Sequence, residues 1–127
     1  MRRLVELDAA AREVEARRAD WERAGFSVGP LTWRDEAAPW PQKLETDRNL
    51  VKDPDSVGVA IKRGDVEAAV VLFRGGWADV EAARIGGPED PIVEAPELAD
   101  ASAFGQLLDN VFAELTRLAG LENPRAE

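Results

Sequence analysis

The chain contains no cysteine, no histidine and no tyrosine, and a single methionine among its 127 residues. Without cysteine there can be no disulfide, no thiolate zinc site and no thiol nucleophile. Without histidine the commonest general base and transition-metal ligand is missing. These absences argue against most enzyme classes. Long apolar runs are lacking too, none approaching the roughly 20 residues a membrane-spanning helix needs. Met1, Arg2 and Arg3 look like the charged start of a signal peptide, but Glu6, Asp8, Arg12 and Glu13 interrupt any apolar core behind them. The expectation is a soluble, cytoplasmic protein that engages no membrane.

What is present suffices for one domain spanning 1–127. The hydrophobic class makes up 45% of the chain, yet 21 of those 57 residues are alanine, which leaves 36 larger apolar side chains for a core. Bases are scarce, 16 against 25 acids, and the deficit is uneven. Residues 1–78 hold 14 acids and 13 bases, whereas 79–127 hold 11 acids and 3 bases. Besides keeping a protein soluble, a surface of that sign repels nucleic acid and speeds encounter with a cation or a basic protein.

Periodicity divides the chain. Leu4, Leu7, Ala11, Val14 and Trp21 recur at helical spacing with Arg18 breaking the stripe, which predicts an N-terminal helix over 1–25 stopped by Gly25, with Phe26 folding back onto its end. Residues 27–56 form an irregular segment holding Pro30, Pro39, Pro41, Pro54, Trp33 and Trp40, with short extended pieces at 31–34 and 43–50. A β-meander follows over 57–95. Val57, Val59 and Ile61 alternate up to an Arg63-Gly64-Asp65 turn. The next run, 66–73, is apolar on both faces and is expected at the sheet centre, covered on one face and partly on the other. In 77–85, Ala78, Val80 and Ala82 share a buried face while Asp79, Glu81 and Ala83 share a wet one, and a last short strand is expected at 92–95. Phe104, Leu107, Leu108, Val111, Phe112, Leu115 and Leu118 then mark a C-terminal helix over 100–119, capped by Asp100 or Ser102 and stopped by Gly120, before a frayed tail at 121–127. The expected fold is α+β, an antiparallel sheet of four or five strands with both terminal helices packed on one face.

Few motifs carry chemistry. There is no glycine-rich phosphate loop, and Gly75-Gly76 and Gly86-Gly87 read as turns. Asp53-Pro54-Asp55 opens like a calcium loop, but Gly64 stands where the closing glutamate is needed. Asp53, Asp55 and Asp65, or Glu89 with Asp90, would hold a hard cation only weakly and read as solvated loop carboxylates, so no metal and no cofactor are expected. Trp21 and Trp77, on periodic elements, are expected in the core or at its edge, while Trp33 and Trp40 stand open between core and interface. The expected partner-binding patch is Asp79, Glu81, Glu89, Asp90 and Glu94, close in sequence, with an antiparallel return bringing Glu94 near Glu81. Trp40 or Trp77 would supply an apolar anchor beside it.

The helix end W-E-R-A-G-F (Trp21 to Phe26), the strand-turn-strand V-V-L-F-R-G-G-W-A-D-V-E (Val70 to Glu81) and the acidic stretch into the last helix resemble the small immunity proteins of bacterial polymorphic toxin systems, more loosely their TriTu family. The resemblance spans nearly the whole chain. It implies a non-enzymatic protein, monomer or homodimer, that neutralises a cognate toxin by binding over its active site. The acidic half suits that role independently, since toxins acting on nucleic acid present basic clefts. An alternative is an acidic secretion-chaperone-like or regulatory α+β homodimer, and a third is an enzyme working through paired carboxylates.

Overall fold

The computed structural model describes residues 5–121. It contains α1 (Leu7–Arg23), β1 (Ser27–Val28), β2 (Thr32–Asp35), a single 3-10 turn (Arg48–Leu50), β3 (Pro54–Arg63), β4 (Val66–Phe73), β5 (Trp77–Arg84), β6 (Ile92–Glu94) and α2 (Ala101–Leu118). Leu4 and all but the first residue of the expected tail lie outside the described residues.

All six strands join one antiparallel sheet in the order β1-β3-β4-β5-β6, and β2 pairs with β3 beside β1. The centre follows from alternation. Val57, Val59 and Ile61 on β3 face Leu72, Val70 and Ala68 on β4, which in turn face Ala78, Val80 and Ala82 on β5. These side chains form one buried surface. Gly64 takes a positive φ of 58° in the two-residue β3–β4 turn, the backbone state such hairpins require.

Both helices cover this surface, α1 over β1 and β3, α2 over β4 and β5, and they pack on each other. Leu7, Ala10, Ala11, Val14 and Trp21 supply the α1 stripe; Phe104, Leu108, Val111, Leu115 and Leu118 supply that of α2. Gly105 is buried where the helices meet, with the Glu13 carboxylate lying where a Cβ would project. Phe112 stacks on Trp21 at 5.9 Å and meets Phe26 edge-on at 5.2 Å, which closes the end of α1. Asp100 caps α2 by accepting the Ala103 amide at 2.8 Å.

The irregular segment departs from expectation in three ways. The sheet takes in more strands than four or five, because β1 and β2 are drawn from it, and β3 starts at Pro54 instead of at 57. A proline is tolerated as the first residue of a strand, where the ladder asks little of its missing N–H. The stretch 43–50 is not extended: Glu45 makes one bridge with Trp33, and the Asp47 carboxylate then accepts the Asn49 amide and winds a 3-10 turn. Trp33 is buried at 3% exposure, with the Arg48 guanidinium 5.0 Å from its ring. Asp53, Asp55 and Asp65 are not simply solvated loop carboxylates either. Each bonds an arginine, Arg74, Arg34 and Arg84 respectively, and Asp55 is buried.

Candidate functional site: the open face of the sheet

Strand alternation that sends one set of side chains to the helices sends the other set to a face that neither α1 nor α2 covers. On β4 that set is Glu67, Ala69, Val71 and Phe73; on β5 it is Trp77, Asp79, Glu81 and Ala83. Gly58, Ala60 and Lys62 extend it on β3, and Val93 on β6. A central strand apolar on both sides suggested partial cover here, but Ala69 is exposed and Val71 only half-buried.

Small residues hollow the middle of this face. A Cβ on Gly58 would stand 2.9 Å from the Thr32 hydroxyl and 3.2 Å from Val71, so glycine keeps the neighbouring strand close. Ala60, Ala69, Ala83, Ile85 and Val93 line a shallow depression of about 520 Å³ with Glu81 at its rim. Toward the β4–β5 turn the face becomes aromatic: Phe73 and Trp77 are cross-strand partners whose rings stack at 4.1 Å. Arg34 reaches Phe73 from the other side, its guanidinium 5.7 Å from the ring. It is held there by bonds of 2.6 and 2.8 Å to Asp55. That pairing lowers the Asp55 carboxyl below the usual range against the opposing effect of burial, and raises Arg34. Glu36, sharing a hydrogen bond with the Asp55 carboxylate and feeling its charge, is pushed up.

Most of the arginines are paired within the protein. Arg17, Arg18, Arg34, Arg48, Arg74, Arg84 and Arg117 are each engaged with a carboxylate. Among the described residues, no ion pair reaches Glu67, Asp79, Glu81, Asp90, Glu94 or Glu97. Lys62 stands opposite Glu67 in register, which leaves Asp79 and Glu81 as the excess negative charge of the open face.

The five acids expected to form one patch are all exposed, but the sheet divides them. Asp79 and Glu81 are on the open face. Glu94 is one register position from Glu81 and pairs with Val80, which turns it to the helix side, where it lines a cleft with Leu107 and Glu114 of α2. Glu89 also belongs to that side, bonded to Arg117 at 3.0 and 3.2 Å. Asp90 stays in the exposed β5–β6 loop.

The two tryptophan anchors differ. Trp77 is not a core residue: its register position beside Phe73 places it on the open face, 41% exposed. Trp40 is 86% exposed in the loop after β2, and Leu44 and Leu50, further along the same segment, are also exposed. Residues that patterning overlooked include Phe73, Ala60 and Glu97. Only the strand register shows that Phe73 and Ala60 share a face with Trp77, and Glu97 joins through an isolated bridge with Trp77.

Among the described residues, no helix is long and apolar enough to cross a membrane, and no group of three or more acidic side chains is placed to hold a metal ion. Comparison of the chain with protein-family models, with curated proteins and with solved structures gives no match in any of the three.

Proposed function

We propose that this chain is a non-enzymatic binding protein that neutralises a basic toxin domain by laying the open face of its sheet over the toxin's active site. The observation that carries the reading is the apolar shelf of Ala60, Ala69, Val71, Phe73 and Trp77, left bare by both helices, beside Asp79 and Glu81, which no ion pair reaches among the described residues. The two parts of the face do different work. Long-range attraction from Asp79, Glu81 and the acids around them raises the encounter rate with a basic cleft, while burial of the shelf and of the Trp77 ring slows dissociation.

A homodimer closed through the same face is a second use of an uncovered sheet. It is disfavoured by charge, since Glu67, Asp79 and Glu81 outnumber Lys62 and two copies would meet with like charge in excess.

The test is co-expression with the product of the reading frame directly upstream of the gene. That product should arrest growth alone, the protein should relieve the arrest, and the Asp79→Lys/Glu81→Lys variant should fold normally yet associate more slowly, with a weaker dependence on salt. An upstream product that is harmless, or toxicity that the protein leaves unrelieved, contradicts the reading.

A further inference from the structure

One row of the open face crosses the sheet as Arg34, Ser56, Phe73, Trp77 and Glu97, each opposite the next in register. Within it the protein already builds a cation receptor for itself. The Arg34 guanidinium lies against the Phe73 ring and is held by the Asp55 carboxylate. On the far side of Phe73 the same parts recur without the cation. Trp77 supplies the ring, its bridge partner Glu97 supplies a carboxylate, and between them opens a groove of about 640 Å³ lined by Gly75, Gly76, Trp77, Ala95, Glu97 and Leu98. Glycine lets the two backbones approach here, because at Gly76 a Cβ would stand 3.1 Å from the Leu98 carbonyl oxygen. Among the described residues, Phe73 is the one aromatic partner of Trp77, no cation lies over its ring, and Glu97 has no ion pair.

The geometry points to this groove as the receptor for an arginine side chain of the basic partner. The guanidinium plane lies on the Trp77 ring and donates to the Glu97 carboxylate, with Asp79, two residues along β5, adding to the attraction. Arginine is favoured over lysine because its flat, weakly hydrated head stacks on an indole and presents two parallel N–H groups to one carboxylate. A second contact follows from strand geometry. Glu81, on the rim of the alanine-lined depression, is four residues from Trp77, or about 13 Å along the strand. The partner surface therefore presents an arginine and, about that far from it, a bulky apolar side chain.

This inference rests on the binding reading above for the identity of the partner, but its test does not need the toxin. The full-length, uniformly 15N-labelled protein is titrated with acetyl-tetraarginine amide and, separately, with acetyl-tetralysine amide, following the Trp77 indole N–H and the Glu97 amide by NMR. Both signals should move with the arginine peptide, and the lysine peptide should bind at least about three-fold more weakly. Trp77→Ala and Glu97→Gln should each remove that preference, the second without touching the aromatic stack. Equal affinity for the two peptides, shifts centred on α2 or on the 36–50 loop, or no shift at all would overturn the inference. None of these outcomes bears on rescue from the toxin. Conversely, failure of rescue with the arginine preference intact would leave the groove standing and remove only the toxin.

Discussion

At the scale of single residues, Asp35 does most to shape the segment that sequence patterning leaves irregular. Its carboxylate accepts the amides of Ala37 at 2.9 Å and of Lys52 and Asp53 at 3.0 Å each, so it closes the ends of a loop that runs out to Trp40 and back. Arg48 fastens the same loop to α1 through Asp8 at 2.8 and 3.1 Å. The Lys52 amide, followed by those of Asp53 and Ala37, holds the Asp35 carboxyl below its ordinary value although burial opposes this. A carboxylate whose folded pKa is depressed contributes stability in full above its unfolded value of about 3.9, and loses it as pH falls through the lower folded value. Asp55, lowered by Arg34, acts in the same direction. Asp35→Asn should therefore lower the melting temperature at neutral pH and flatten its decline as the pH falls below about 4. Melting curves measured across that range check this, and parallel profiles for the two proteins would refute it. None of this was legible beforehand, because two of the three amides lie 17 and 18 residues away and leave no periodic trace.

At the scale of elements, legibility follows length and period. The two terminal helices and the three long strands were readable because each repeats its pattern over enough residues to average out exceptions. Strand β2, with four residues, matches the extended piece expected at 31–34, whereas β1, with two, is too short to show alternation. Their place is set by pairing with β3, a tertiary fact. The open face was half legible: the wet side of β5 could be read from Asp79 and Glu81, but the second apolar side of β4 looked the same whether covered or bare. Trp77 shows the same limit, since size suggests burial whereas register places it on the open face. The clearest element-level expectation concerns α2. Leu108 and Val111 are both buried beneath the helix. Leu108→Ala should cost about 2 to 5 kcal/mol and Val111→Ala somewhat less, against a total reserve of about 5 to 15 kcal/mol for a domain. Denaturant midpoints measure both, and an unchanged midpoint for Leu108→Ala would mean that the stripe carries no packing load.

At the scale of the whole molecule, the protein is a two-layer sandwich with one outer surface missing. Helices shield one side of the sheet, while the other ends in alanines, a valine and an exposed tryptophan next to the carboxylates of Asp79 and Glu81. The net charge of −9 is unevenly compensated, since among the described residues no ion pair reaches Asp79, Glu81, Asp90, Glu94 or Glu97 on β5 and the segment after it. Trp40, Leu44 and Leu50, exposed between β2 and β3, offer competing apolar side chains. The two tryptophans make the choice measurable. Hydroxyl-radical footprinting of the protein, free and in complex with the upstream gene product, reads the oxidation of both in one experiment. Trp77 and Phe73 should become protected while Trp40 is oxidised as in the free protein. Protection of Trp40 with Trp77 left fully reactive would contradict binding through the open face.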